Sequence, residues 1–371
     1  MAVAVSSDRV TSGALRDLPS PVASPDYHAA ELQFINFLAI PDLDHWVRSQ
    51  PEEATQFEAT IAAAIQAAYP SGASLGTISE AHLFLQRILY RINRLNLFWY
   101  DDLQSYENER SFYLQQLRNV IESPWQAWEL AQLDVAHLQK LDVQQALMER
   151  CEADLNPPIT NNKRYLREEM SVEGYRHLLA IASLDGLVEA SRLSRILGGA
   201  SNEVQATLIR VLLEEYGNGR LPRKHSTFFA KMMAELSLDT SPEGYFHLAP
   251  WEVLATINHN FLLTECKRYF LRYNGGLTYF EIAGPTFYTD YLLAAKRLGL
   301  SDLAMGYWEL HIREDERHGQ WMLHEAALPL AKMYPQFAWE LVLGYDQEKL
   351  MGDRAGDAVI QAVKQAEKGH G

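Results

Sequence analysis

Apolar side chains recur at three- and four-residue intervals along almost the whole chain, and this spacing restricts the fold more than any other feature of the sequence. In residues 28–49 and 52–69 it places the apolar side chains on one side of a helix, with breaks at Pro41 and Pro70. Short alternating runs of valine, isoleucine and threonine between turn signals, which are typical of strands, are scarce. The sequence therefore predicts an all-α protein.

Caps and turn residues divide the rest of the chain. Pro124 directly after Ser123 predicts a helix start, because proline is tolerated at the first position of a helix. Ser201 and Ser301 are each expected to cap a helix, and Gly275–Gly276 are expected to end one. The predicted helices cover residues 78–102, 106–121, 124–154, 171–197 (one helix or a broken pair), 202–216, 225–237, 250–273, 277–298, 301–328 and 333–343, with a last exposed helix from residue 353 onward.

The clearest break lies at residues 155–162, where Pro157, Pro158 and three asparagines follow one another closely. Because such a cluster ends helices, we expect a domain boundary here. Residues 1–27 are interpreted as a flexible tail, residues 28–155 as an all-helical accessory domain, and residues 163–371 as a second domain with a C-terminal helical tail. The histidines of the accessory part are scattered and are interpreted as surface or core residues, not ligands: His28, His45, His82 and His137.

The composition excludes several classes of function. The formal net charge is −15, whereas a nucleic-acid surface needs clustered lysine and arginine, and an anionic membrane would also repel such a chain. No run of about 18 apolar residues predicts a transmembrane helix. Cys151 and Cys266 are far apart in the sequence, which argues against a disulfide framework. Since residues 1–27 do not look like a secretory signal, the chain is expected in the cytoplasm.

One charged stretch, residues 307–318, has the spacing of a metal site. An α-helix turns about 100° per residue, so His311, Asp315 and His318 share a single face over two turns. Two imidazoles and a carboxylate suit a borderline metal such as iron, zinc or manganese. The alternative interpretation is a solvated face, because charge runs on helices are usually exposed.

Two further glutamates lie in unusual surroundings. Glu281 is flanked almost entirely by apolar residues, so its carboxylate should be paired, hydrogen-bonded or metal-bound. Pro285 cannot donate to the carbonyl of Glu281, which predicts a bend beside it. Glu215 ends a helix, where the helix dipole disfavours an acidic side chain, and His225 follows it beyond a glycine-rich break. The alternatives are a salt bridge for Glu281 and an exposed acidic helix end for Glu215.

Taken together, these stretches resemble the haem-oxygenase-like diiron oxidases and oxygenases. The matching segments are residues 214–219, residues 223–229, Glu281, and the run from His311 to Gly319, within residues 165–343. The resemblance implies a seven-helix bundle in which six side chains hold two irons: Glu215, His225, Glu281, His311, Asp315 and His318. The N-oxygenase branch of the family has a further carboxylate, which Glu189 matches, with Asp185 one turn earlier as the competing residue.

The resemblance also implies a function. We expect an enzyme that uses iron and O2 to oxidise a small amine or amino-acid-like substrate, by N-oxygenation in a specialised-metabolite pathway. Oxidative carbon–carbon cleavage, including fatty-acid decarboxylation, is the alternative on the same two irons. A haem oxygenase, a thiaminase-like enzyme with Cys266 as nucleophile, and a non-catalytic helical scaffold are alternatives of other classes. The expected partners are the small-molecule substrate, O2, an external electron donor and a second copy of the chain.

Overall fold

The computed structural model describes residues 25–70, 79–97, 103–199 and 202–369. No strand occurs in these ranges, so the prediction of an all-α protein is confirmed. Residues 1–24 of the predicted tail lie outside the described residues, and the first helix already begins at Tyr27. The helices are α1 (Tyr27–Leu38), α2 (Leu43–Ser49), α3 (Pro51–Ala68), α4 (Ser79–Asn93), α5 (Phe112–Leu130), α6 (Val135–Leu138), α7 (Val143–Leu155), α8 (Asn161–Glu168), α9 (Val172–Gly186), α10 (Glu203–Glu215), α11 (His225–Glu235), α12 (Trp251–Glu265), α13 (Phe270–Arg297), α14 (Gly306–Trp321), α15 (Leu328–Met333) and α16 (Trp339–Gly369).

The N-terminal helices pack on one another and on the later part of the chain. Helices α1, α3, α4 and α5 bury a shared apolar cluster that includes Phe57, Leu85 and Trp125. The same cluster contains Trp251 of α12 and Met351 of α16. Apolar packing therefore continues across the break at residues 155–162, which separates α7 from α8. The division into an accessory domain and a second domain stays a prediction.

Two long helices, α13 and α16, cross at the centre of the second half. A Cβ atom added to Gly275 would lie 1.9 Å from the carbonyl oxygen of Leu341, and one added to Gly344 would lie 1.9 Å from that of Arg272. Only glycine allows the two backbones to approach so closely. The predicted helix end at Gly275–Gly276 is therefore wrong, since α13 runs through both glycines. The close packing of α13 against α16 is possible only because Gly275 has no side chain.

The predicted helix start at Pro124 is also wrong. Pro124 does not start a helix but lies inside α5, whose buried face carries Trp125. The proline frees the carbonyl of Val120, an exposed residue, where water can replace the lost hydrogen bond.

Capping also differs from the prediction at two helices. Asn202 caps α10 by accepting a hydrogen bond from the Gln205 amide at 3.0 Å, while Ser201 lies outside the described residues. Ser301 caps only a short 3₁₀ turn, Asp302–Ala304, and α14 begins at Gly306. The two predicted C-terminal helices form one, α16, which begins at Trp339.

Seven helices of at least 11 residues lie between residues 172 and 369 of the described chain, the number expected for the bundle: α9, α10, α11, α12, α13, α14 and α16. Helix α11 packs against α9 and α14, and α14 packs along α13. These contacts bring α9 and α11 towards α14 and, through it, α13. Within the described ranges, no helix combines the length and the apolar character needed to cross a bilayer.

Candidate metal centre

A tight turn between α10 and α11 brings Glu215 and His225 together. Gly217, Asn218 and Gly219 all have positive φ, at 59°, 53° and 76°. Three consecutive left-handed residues reverse the chain directly after Glu215, the last residue of α10. His225 is the first residue of α11, and its Nδ1 atom lies 2.8 Å from Glu215 Oε2. The turn thus joins two side chains that helical phase alone could not relate.

Helix α14 presents the predicted trio on its buried face. His311, Asp315 and His318 are each 2 % exposed or less, so the helix face that carries them is not solvated. The next residue, Gly319, lies against α13: an added Cβ would be 3.0 Å from the carbonyl oxygen of Glu281. That is the carbonyl which Pro285 leaves without its helical donor. The absence of a side chain at Gly319 therefore lets α14 approach α13 beside Glu281.

One group of ligand atoms forms around His311. The atoms offered by Glu189, Glu215, His225 and His311 all lie within 4.8 Å of one another. His311 Nε2 is 2.8 Å from Glu189 Oε1 and 3.1 Å from His225 Nδ1. On its other side, His311 Nδ1 lies 3.0 Å from the carbonyl oxygen of Tyr307. A carbonyl only accepts, so Nδ1 donates there and Nε2 is left to bind a metal.

A second group forms around His318 and shares one member with the first. The atoms offered by Glu215, Asp315 and His318 also lie within 4.8 Å of one another. His318 Nδ1 is 3.3 Å from both Glu215 Oε1 and Glu281 Oε2, and 3.8 Å from Asp315 Oδ1. The structure thus brings together all seven residues that the sequence singled out, with Glu215 common to both groups.

Buried polar atoms without hydrogen-bond partners test whether these residues fit a metal. They include both carboxylate oxygens of Asp315, Glu189 Oε2 and His318 Nδ1. An unpaired buried carboxylate is costly, and a bound cation would satisfy these oxygens and the imidazole nitrogen together. Carboxylate oxygens and imidazole nitrogens are ligands that iron, zinc and manganese accept. The residues fit a metal centre on this ground.

Burial and the charges of neighbouring side chains determine which groups of the metal-free site are protonated. Burial alone would lower the pKa of His311, but the charges of Glu189 and Asp315 outweigh it and raise that pKa to about 10. Burial raises the pKa of Asp315 well above its usual range, against the opposing charge of His311. For Glu215 the effect of burial is outweighed by the neighbouring imidazoles of His225 and His318, which lower the pKa of the carboxyl. Metal binding must therefore displace protons from this cluster.

Glu189, not Asp185, reaches the candidate metal centre. Asp185 forms an ion pair with Arg192, whereas Glu189 contacts His311 and accepts a hydrogen bond of 2.6 Å from the hydroxyl of Tyr307. Helix α9 ends at Gly186, and the amide of Val188 donates to the carbonyl of Asp185 only three residues earlier, at 2.9 Å. Because the backbone leaves helical geometry between the two carboxylates, their separation of one turn in the sequence does not place them on the same face.

Glu214 was not singled out by the sequence as a functional residue. Its Oε2 atom accepts a hydrogen bond of 2.9 Å from His318 Nε2 and lies 2.8 Å from Arg317 Nη2. This contact leaves Nδ1 of His318 facing the carboxylates of the site, an arrangement that a carboxylate partner also gives to metal-ligating histidines. The sequence feature that could have pointed to Glu214 is the acidic pair Glu214-Glu215 at the end of α10, a position that the helix dipole disfavours.

Comparisons with known proteins point the same way. Residues 176–346 match the family model described as iron-containing redox enzyme. Over 170 residues the chain is 26 % identical to the nitrosourea synthase of Streptomyces achromogenes subsp. streptozoticus. That similarity covers 45 % of this chain and only 36 % of the synthase, so it spans about a third of the relative. Residues 176–346, which contain all the candidate ligands, are therefore similar to the iron-containing redox enzymes.

Proposed function

We propose that the protein is a non-haem diiron oxygenase that uses O2 to oxidise a small amine or amino-acid-like substrate at nitrogen. The observation that carries this proposal is that two groups of ligand atoms share Glu215. A carboxylate has two oxygens, and those of Glu215 face different histidines: Oε2 lies beside His225 and Oε1 beside His318. Such a carboxylate can bridge two metal ions.

The remaining ligands divide between the two positions. Glu189, His225 and His311 surround one end of Glu215. Asp315, His318 and Glu281 surround the other end, with Glu281 Oε2 3.3 Å from His318 Nδ1. When two irons are bound, they supply the electrons that activate O2. A haem would use one axial histidine and would leave both carboxylate oxygens of Asp315 and Oε2 of Glu189 unpaired.

The chain's own residues hold this arrangement before any metal enters. The carbonyl of Tyr307 orients His311, and Glu214 orients His318. The hydroxyl of Tyr307 fixes Glu189. Since the three imidazoles are nearly inaccessible to solvent, the reaction would be shielded from water and each ligand would need little rearrangement.

An anaerobic titration with Fe(II) tests the metal proposal. We expect two equivalents of iron per chain, followed by O2 uptake when the loaded protein meets air-saturated buffer. The variant His311→Ala should bind one iron fewer and lose O2 uptake, because one position loses its central imidazole. His137→Ala, at an exposed histidine of α6, is the matched control and should behave as the wild type. Binding of one iron or none, or two irons in His311→Ala with an unchanged circular dichroism spectrum, would overturn the proposal.

The substrate class is tested by mass spectrometry of reactions with amines and amino acids. N-oxygenation adds one oxygen atom to the substrate, whereas oxidative decarboxylation removes carbon dioxide. The likeness to a nitrosourea synthase supports a nitrogen-containing substrate. Products shortened by one carbon would favour the carbon–carbon cleavage alternative on the same iron site. We further propose that an external electron donor restores the ferrous irons and that the chain forms a homodimer in the cytoplasm, which sedimentation and fractionation would test.

A further inference from the structure

Oxidisable aromatic rings lead from the candidate metal centre towards solvent. The His311 ring lies 4.2 Å from Tyr307 and 4.9 Å from Tyr288, between ring centroids. Both tyrosines contact Trp308, at 5.0 Å and 5.6 Å. Trp308 in turn lies 5.0 Å from Tyr291. The first three aromatic residues after His311 are buried, and Tyr291 is partly exposed.

Packing explains part of this arrangement, because the rings belong to the apolar cluster shared by α9, α11, α13 and α14. Phe229 packs in the same cluster, edge-on to both Tyr307 and Trp308, and shows that a phenyl ring serves packing equally well. Tyrosine and tryptophan differ from phenylalanine in losing an electron far more readily. Every aromatic step from His311 to Tyr291 is made by one of these two residue types.

Two hydrogen bonds connect these rings to their surroundings. The Tyr307 hydroxyl donates to Glu189 Oε1 at 2.6 Å, so the first ring touches two proposed ligands, Glu189 and His311. The indole N–H of Trp308 donates to the Tyr175 hydroxyl at 2.7 Å, and that hydroxyl lies 3.0 Å from the carbonyl of Ala304. These hydrogen bonds therefore fix the orientation of the Trp308 ring, which lies between the two buried tyrosines, Tyr307 and Tyr288, and Tyr291.

We propose that Tyr307, Tyr288, Trp308 and Tyr291 form an electron-transfer chain that carries oxidising equivalents away from the iron site when O2 reacts without substrate. This rests on the proposed function. Each transfer removes one electron from Tyr291 through Trp308 and reduces the oxidised iron site by one electron. Tyr291 releases its phenolic proton to solvent and becomes a neutral radical. The oxidant is O2: two ferrous irons and two such transfers supply its four electrons, solvent supplies four protons, and an external thiol reduces Tyr291 again.

Residue-resolved mass spectrometry tests the chain in iron-loaded protein exposed to O2 without substrate or thiol, with catalase present to remove free peroxide. We expect oxygen addition at Tyr291 and Trp308 several-fold above that at Tyr334. Tyr334 is 42 % exposed at the end of α15 and is the control for diffusing oxidants. In Tyr291→Phe, which leaves the buried rings unchanged, oxidation of Trp308 should rise several-fold. In Trp308→Phe, oxidation of Tyr291 should fall to the level of Tyr334.

Equal oxidation of Tyr291 and Tyr334 in the wild type would overturn the electron-transfer proposal, as would undiminished oxidation of Tyr291 in a folded Trp308→Phe variant. If Trp308→Phe does not fold, the rise at Trp308 in Tyr291→Phe decides alone, and its absence refutes the chain. Iron content and O2 uptake are measured in the same samples. Failure to bind iron or consume O2 would refute the proposed function, whereas normal O2 uptake without the aromatic pattern refutes only the chain.

Discussion

Replacing Gly217 by alanine tests whether the turn between α10 and α11 holds Glu215 and His225 together. Gly217 has a φ of +59°, and an added Cβ would lie 2.4 Å from the carbonyl carbon of Arg223 and 2.6 Å from the amide nitrogen of Lys224. Gly219 has a φ of +76°, but its added Cβ would meet nothing within 4 Å. Gly219→Ala therefore introduces the backbone strain alone, and Gly217→Ala introduces the strain and a clash with backbone.

The magnitude follows from these distances. A left-handed conformation costs a non-glycine residue about 1–2 kcal/mol, which applies to both variants. In Gly217→Ala the 2.4 Å contact must also open to the 3.4 Å at which ordinary contact begins, a difference of 1.0 Å (3.4 − 2.4). Overpacking of this kind costs a further ~1–3 kcal/mol. We expect the free energy of unfolding to fall by roughly 1–2 kcal/mol in Gly219→Ala and by roughly 2–5 kcal/mol in Gly217→Ala.

The clash should also weaken iron binding. His225 directly follows Lys224, one of the residues that must move, and metal–ligand distances tolerate only about 0.2 Å. Urea unfolding followed by circular dichroism measures the stability, and anaerobic Fe(II) titration measures the affinity. Gly219→Ala should bind iron as the wild type does, and Gly217→Ala should bind more weakly the iron that His225 contacts. Equal unfolding free energies and equal iron affinities in the two variants would refute the reasoning, because the turn would then absorb the added carbon without moving His225.

Three further predictions concern the ligands and their protonation. Glu189→Gln should lower the iron stoichiometry in a titration, whereas Asp185→Asn should not, because Asp185 pairs with Arg192 and Glu189 contacts His311. Glu214→Ala should weaken iron binding by about 10–100-fold, since His318 loses the carboxylate that orients it; Glu316→Ala, at an exposed position on the same helix, is the control. Iron affinity measured across a pH series should rise with pH, because His311, with a pKa of about 10 in the metal-free site, must lose a proton to bind.

The last prediction has a counterpart in the stability of the metal-free protein. The folded-state pKa of His311 is raised from 6.5 to about 10, so its contribution to stability is fully present below pH 6.5 and is lost as pH rises towards 10. Urea unfolding of metal-free samples across this range measures the loss. If iron affinity did not change with pH, His311 would not be a ligand that must lose a proton before it binds iron. The prediction for Glu189 would be contradicted if Glu189→Gln bound as much iron as the wild type. The prediction for Glu214 would be contradicted if Glu214→Ala and Glu316→Ala bound iron with equal affinity.

Local geometry explains what could be predicted from the chain itself. The helical period is a property of consecutive residues, and therefore the all-α class and the shared face of His311, Asp315 and His318 follow from spacing alone. The unfavourable position of Glu215 at a helix end, and the apolar flanks of Glu281, were likewise visible as local conflicts. Such conflicts are expected at functional sites.

Packing between distant segments overrode local signals elsewhere. Gly275 and Gly276 are strong helix-ending residues in isolation, yet α13 continues through them because the backbone of α16 lies where a side chain at Gly275 would be. Pro124 is tolerated inside α5 because the carbonyl that it frees belongs to an exposed residue. In both cases the deciding contact is made by atoms that the local sequence does not contain.

The sequence by itself determined the all-α class, the identity of the candidate ligand residues and their order along the chain. Only the tertiary structure decided that Glu215 faces two sets of partners, that Glu189 and not Asp185 approaches His311, and that Glu214 holds His318. The physical reason is that a helix specifies directions around its own axis, whereas convergence depends on where turns and close helix contacts place one axis relative to another. In this protein those placements depend on the left-handed turn after Glu215 and on the glycine contact between α13 and α14.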